Sequence, residues 1–156
     1  MKSELKTIID SLPYTKPFLF VDTLLSISKD EVVGEYTFRK DEYFYEGHFK
    51  EYAVTPGVIL TECMAQIGLV CLAIYILSDE TTSKDWNSKK LGFVLSNSEI
   101  NFFLPVLPGE KVTVSSTKEY FRFQKLKCKV MMKNSKGEIV CKGLISGMAT
   151  NKSHED

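Results

Sequence analysis

Hydrophobic and polar positions alternate along much of this chain, with one long interruption. From Val58 to Leu77 the sequence is apolar on every side of a helical wheel, and Glu62 is its only charged residue. A helix that is apolar all round must be buried on most sides. Pro56 suits its first turn and Thr55 is the expected N-cap. Before it, Ser3–Ser11 reads as a short amphipathic helix with Leu5, Ile8 and Ile9 on one side. Pro13 and Pro17 end that pattern, and Phe18–Val21 is a brief apolar run. In Glu31–Arg39, Val32, Gly34, Tyr36 and Phe38 face one way and polar residues dominate the other face, which predicts a strand. Residues 40–54 form an aromatic-rich loop and Ser78–Lys90 a polar one. Strands are expected at Leu91–Ser96, Glu99–Phe103, Lys111–Arg122, Lys125–Lys133 and Glu138–Thr150, with a hairpin turn at Asn134–Gly137. The predicted class is α+β: a single domain over residues 1–150, with an antiparallel sheet wrapped around one long helix. Asn151–Asp156 is expected to be a frayed tail, and His154 within it an incidental surface residue.

Composition narrows the function classes. The chain has 156 residues, enough for one domain with a real core. Its 20 basic and 20 acidic side chains cancel, which argues against a general nucleic-acid binder. The apolar run is long enough to raise a membrane span, but Glu62 and Gln66 lie within it and basic anchors are missing from its flanks, so a buried helix is expected. The opening MKSELKTIID lacks the apolar core of a signal peptide. Cys63, Cys71, Cys128 and Cys141 form no CxxC pair and read as buried, reduced thiols, so a cytoplasmic location is expected. Cys63 neighbours Glu62 in sequence but points about 100° away on a helix, which disfavours it as a nucleophile.

The candidate chemistry lies where the loop meets the helix. His48 is one of only two histidines, and Glu62 follows fourteen residues later inside apolar sequence. Desolvation raises the pKa of such a carboxyl and favours its protonated form. Gln66 lies one turn beyond on the same face. Gly57 and Val58 occupy the first turn, where N–H groups lack helical partners and can polarise a carbonyl oxygen. An imidazole base, an N–H donor and a protonated carboxyl together suit removal of a proton beside a carbonyl with loss of a leaving group. On these residues alone, a plainer account stays open: Glu62 hydrogen-bonds within a core and His48 caps a loop. No metal-ligand spacing, phosphate loop or Ser-His-Asp pattern is present.

The segments LPYTKPFLFVD (Leu12–Asp22), GHF (Gly47–Phe49), TPGVILTECMAQ (Thr55–Gln66) and PVLPGE (Pro105–Glu110) resemble the 3-hydroxyacyl-acyl-carrier-protein dehydratases of the FabZ type. In order and spacing the resemblance spans about residues 12–148. It implies a hotdog fold, a sheet around a central helix. It also implies that His48 and Glu62 are catalytic, that the Gly57 N–H binds the thioester carbonyl, and that Gln66 supports the glutamate. No metal or cofactor is implied, because the substrate arrives on the phosphopantetheine arm of acyl carrier protein. The implied assembly is a homodimer with active sites at the interface, a trimer of dimers, or a heterodimer with a related subunit; neither nucleic acid nor membrane is an expected partner.

Three departures stand out. Lys50, Glu51, Tyr52 and Ala53 replace the family's Pro-Gly and following proline, Tyr14 and Thr15 replace its histidine and arginine, and Thr55 replaces its frequent methionine. They put substrate choice and loop rigidity in question and suggest a specialised pathway, of the aryl-polyene or polyketide type, beside fatty-acid synthesis. A hotdog acyl thioesterase and a non-catalytic partner subunit are the alternatives. Phe44, Tyr45, Tyr52 and Phe93 are expected either to line an acyl tunnel or simply to pack the core. Arg122, Lys125, Lys127 and Lys129 form a basic strip, read either as a solvated strand face or as a docking surface for an acidic carrier.

Overall fold

The computed structural model of the chain describes residues 1–80 and 91–151. Its strands are β1 (Thr23–Ile27), β2 (Glu31–Thr37), β3 (Leu91–Phe102), β4 (Lys111–Arg122), β5 (Lys125–Asn134) and β6 (Ile139–Asn151). They form one antiparallel sheet in the order β1-β2-β4-β5-β6-β3. A short helix α1 (Lys2–Asp10) packs near β1. The central helix runs as α2 (Gly57–Ala65), a π-helical stretch (Gln66–Val70) and α3 (Cys71–Glu80). The sheet wraps this helix, so the hotdog arrangement implied by the resemblance is present.

Alternation explains which faces meet. Val32, Gly34, Tyr36 and Phe38 are buried as predicted, and Leu126, Cys128, Val130 and Met132 turn inward on β5. They close on Ile67, Leu69, Leu72 and Ile74 of the central helix, all fully buried. The helix that passes for a membrane span by length and hydropathy is 78% buried within the fold. It comes close to the sheet at Gly68, where an added Cβ would sit 3.0 Å from both Ser116 and Val130. The wider π-helical winding there changes the backbone pairing, and the buried Ser116 hydroxyl donates to Gly68 O at 2.9 Å.

Four expectations need correction. Strand β1, Thr23–Ile27, follows the apolar run Phe18–Val21 and is absent from the expected strands because TLLSI is too short to show alternation. The two strands expected at 91–96 and 99–103 are one, β3, whose register shifts between Leu95 and Asn97; that irregularity breaks the period-two pattern. Thr55 does not cap the helix. Pro56 occupies that position in extended geometry, and the Thr55 hydroxyl is committed to Tyr45 OH at 2.6 Å. Finally, the helix continues past Leu77 to Glu80. The rest of the predicted 78–90 loop, residues 152–156 of the tail and His154 lie outside the described residues.

Candidate active site

The histidine is presented by a small backbone hairpin. A 3-10 turn, Tyr43–Glu46, ends at Gly47, and His48 N donates to Phe44 O at 3.1 Å. The chain then doubles back: Phe49 N donates to Tyr52 O at 2.7 Å and Val54 N to His48 O at 3.1 Å. Thr55 N donates to Val106 O at 2.9 Å, which ties the return limb to the PVLPGE segment. His48 Nδ1 lies 2.8 Å from Val54 O. A carbonyl can only accept, so Nδ1 carries the proton and neutral His48 has its lone pair on Nε2. The Phe49 ring stacks on the imidazole at 3.9 Å and 27°. These contacts fix both the tautomer and the ring plane.

Just beyond Thr55 the helix begins. Among the described residues no protein acceptor meets the Gly57 N–H, as expected for a first turn. The Phe102 ring lies against Gly57, where an added Cβ would approach it to 3.2 Å. Gly57, Thr55, Leu60, Phe102 and Phe103 line a groove of about 310 Å³ at the helix start. Val58 does not point into the core: it is 77% exposed at the start of an otherwise buried helix.

Glu62 is held by its neighbour one turn on. Gln66 Nε2 donates to Glu62 Oε1 at 3.0 Å and also to Phe18 O at 3.0 Å, while Gln66 Oε1 accepts from Phe20 N at 2.8 Å. Gln66 is fully buried, and both its N–H donors and its carbonyl oxygen have defined partners. Burial pushes the Glu62 carboxyl above its ordinary pKa, and the hydrogen bond from Gln66 opposes that in part. Burial also raises the Tyr14 phenol, with the nearby Glu62 carboxylate as a second cause. Cys63 points away from the groove and donates to Phe20 O at 3.4 Å; burial drives its thiol well up, so it is no nucleophile.

The structure thus brings Glu62 and Gln66 together, and places Gly57 and Val58 in one helical turn. It does not join His48 to Glu62: no hydrogen bond or ion pair links them among the described residues. Sequence reasoning missed four contributors. Phe18 and Phe20 act through their backbones, which leave no side-chain signal. Tyr14 was noted only as a departure. Phe102 faces Gly57 from β3, and only the merged strand reveals that. Among the described residues, no group of His, Cys, Asp and Glu side chains is placed to hold a metal ion.

The chain is similar to known proteins across most of its length. Residues 12–145 match the model of the FabA-like domain. The chain is 30% identical over 147 residues to a protein of Streptococcus sanguinis named 3-hydroxyacyl-[acyl-carrier-protein] dehydratase FabZ, covering 94% of this chain and 95% of the relative. The protein of the same name from Streptococcus agalactiae serotype V is 34% identical over 113 residues, covering 72% and 74%. Among solved structures, a chain of the dehydratase heterocomplex ApeI:P from Xenorhabdus doucetiae superposes with a TM-score of 0.76 at 14% identity, over 93% of this chain and 92% of that one. A hypothetical thioesterase from Streptococcus pneumoniae, solved with coenzyme A, gives 0.56 at 16% identity, over 82% and 84%. At such identities the last two speak for the fold alone. With a domain model matched across most of its length and relatives above 30% identity, this chain belongs to the FabA-like family.

Proposed function

We propose that the chain is a 3-hydroxyacyl-acyl-carrier-protein dehydratase that works as a dimer. The observation that carries this reading is the pinned imidazole: Nδ1–H is held by Val54 O, and Nε2 is the atom left to act as base. His48 Nε2 takes the α-proton of the 3-hydroxyacyl thioester. The carbonyl oxygen gathers the negative charge and is held by the Gly57 N–H, with the helix dipole behind it and Val58 in the same turn. The C3–O bond breaks as Glu62 of the partner subunit protonates the departing hydroxyl, which leaves as water. A trans-2-enoyl thioester remains on the carrier, and the proton on His48 returns to Glu62 through solvent. Gln66 orients Glu62 throughout. No metal or further cofactor is needed beyond the carrier's phosphopantetheine arm.

Two observations support the dimer. His48 and Glu62 do not meet within one chain, and β3 is an edge strand of twelve residues with exposed Val94 and Leu95. A long unpaired edge with exposed apolar side chains calls for a partner. A second copy, or a related subunit, pairing along β3 covers it; such dimers can in turn associate as trimers of dimers. The burial of the central helix within the fold supports a core helix rather than a membrane span, and the buried, unpaired cysteines suit a cytoplasmic enzyme. The altered loop Lys50–Ala53, beside the histidine, is where a specialised acyl substrate would be selected.

Mass spectrometry of carrier-bound 3-hydroxyacyl substrate tests the reading. Wild type should lower the acyl mass by one water, and His48→Ala should slow this about 100- to 10,000-fold. Release of a free carrier thiol instead would mark a thioesterase, and unchanged dehydration by His48→Ala would remove His48 as the base.

A further inference from the structure

Among the described residues, a single side-chain to side-chain hydrogen bond closes the loop that presents His48. Tyr45 OH and Thr55 Oγ1 lie 2.6 Å apart, and neither hydroxyl meets another protein partner there. Both side chains are nearly buried, Tyr45 at 6% and Thr55 at 5% exposure. Two apolar side chains of the same shapes would fill this space with no hydroxyl to satisfy, and such paired replacements are close to neutral for stability. Burial alone therefore does not call for the pair. Thr55 also stands where related chains frequently carry methionine, whose thioether is a poor partner for a phenol.

The pair is the base rung of a hairpin. Above it, Val54 N donates to His48 O at 3.1 Å and His48 Nδ1 donates to Val54 O at 2.8 Å; at the tip, Phe49 N donates to Tyr52 O at 2.7 Å. Each end of the base rung is tied down. On one limb Tyr45 N donates to Glu42 O at 3.2 Å, and the Glu42 carboxylate accepts from the buried Tyr36 hydroxyl of β2 at 2.7 Å. On the other limb Thr55 N donates to Val106 O at 2.9 Å, and Gly57 opens the helix two residues on. The upper rungs fix the imidazole within the hairpin but leave the hairpin free to hinge where residues 54–56 enter the helix. The hydroxyl bond stops that hinge.

We propose that Tyr45 and Thr55 are positioning residues, whose hydroxyl bond sets the spacing between the His48 imidazole and the Gly57 N–H of the same subunit. The inference rests on the proposed dehydratase reading, in which His48 takes the proton from the α-carbon and Gly57 holds the oxygen of the adjoining carbonyl. Base and donor then work on neighbouring atoms of one substrate, so a small drift of the loop against the helix start takes one of them off its target.

A double-mutant cycle tests the proposal, with melting temperature, kcat and KM on a 3-hydroxyacyl carrier protein measured for each variant. Tyr45→Phe and Thr55→Val each strand one buried hydroxyl and should lower the melting temperature. Tyr45→Phe/Thr55→Val removes both hydroxyls, keeps the shapes, and should melt closer to wild type than either single variant. If the two groups merely satisfied each other in the core, activity would recover along with stability. With a positioning role, kcat of the double variant should stay about 10-fold below wild type with KM changed by no more than about 2-fold. Thr55→Ser keeps the hydroxyl and should restore most of the kcat that Thr55→Val loses. A double variant as fast as wild type would overturn the proposal, as would Thr55→Ser as slow as Thr55→Val. Hydrogen exchange on the same proteins gives a reading independent of turnover. In the double variant the Val54 amide should lose about 10-fold in protection relative to the amides of the central helix, and unchanged Val54 protection would refute the positioning role. Should wild type dehydrate no 3-hydroxyacyl carrier protein, the dehydratase reading fails by itself, and Val54 exchange alone then decides whether the rung holds the loop.

Discussion

Replacing Gln66 by leucine tests the clamp that positions Glu62. Leucine nearly matches glutamine in size, so no cavity opens, and the change removes three hydrogen bonds at once. Their losses are unequal. Phe18 is partly exposed and Glu62 lies at the helix's accessible end, so Phe18 O and the carboxylate can turn to water. Phe20 is fully buried and, among the described residues, its N–H has no second acceptor. One orphaned buried donor costs about 1–3 kcal/mol. For a domain of this size that is a fall in melting temperature of roughly 2–12 °C. Chemical denaturation at fixed subunit concentration would read the loss, and hydrogen exchange would locate it, since the Phe20 amide should lose protection before neighbouring strands. The same substitution removes the one interaction that holds the Glu62 pKa down. The carboxyl then stays protonated to higher pH, and the alkaline limb of kcat/KM should move upward. A denaturation midpoint equal to wild type, with Phe20 protection intact, would show that the clamp does not hold the Phe18–Phe20 segment.

Three further outcomes are expected. Because burial raises the Glu62 pKa above its ordinary 4.5, the folded state binds the proton more tightly than the unfolded chain; stability should therefore decline as pH rises from about 4.5 through the folded value, and Glu62→Gln should flatten that decline in melting temperature against pH. Gly57→Ala puts a methyl group 3.2 Å from the Phe102 ring and displaces the helix start by a few tenths of an ångström, so kcat should fall about 10-fold with KM little changed, and Phe102→Leu in the same chain should recover most of it. Leu95→Lys on the exposed β3 edge should halve the mass seen by light scattering and abolish dehydration; a monomer with full activity would sink the composite site.

The sheet was legible where one face is buried and the other wet. β2 and β5 follow strict alternation because the central helix covers only one side of each. β3 was not legible as one strand, because as an edge strand it has exposed positions on both faces from Val94 to Glu99 and its register shifts in the middle. The central helix announced itself by being apolar all round, but its π-helical stretch did not. Winding there depends on Ser116, a residue 48 positions away that supplies a donor to Gly68 O. Thr55 shows the same limit. Its type favours a helix cap, yet the proximity of Tyr45 decides what its hydroxyl does, and local propensity contains nothing about Tyr45.

The candidate site divides in the same way. Glu62 and Gln66 were readable as a pair because helical periodicity alone puts them on one face, and the 3.0 Å hydrogen bond realises that geometry. The tautomer of His48 was not readable, because it is set by a backbone carbonyl, and any residue at position 54 presents one. That explains how the loop tolerates unusual sequence. Lys50, Glu51, Tyr52 and Ala53 lack the prolines of related loops, yet Phe49 N still meets Tyr52 O and Val54 N still meets His48 O. Main-chain atoms do the holding, and the side chains between them are free to vary. The Phe49 and Tyr52 rings pack in a tilted arrangement at 5.5 Å, and Phe49 in turn stacks on the imidazole, which stiffens the loop. With His48 as the proposed base, side chains of this loop can change without moving the imidazole, which makes Tyr52 the first position to vary in testing whether the loop sets acyl preference.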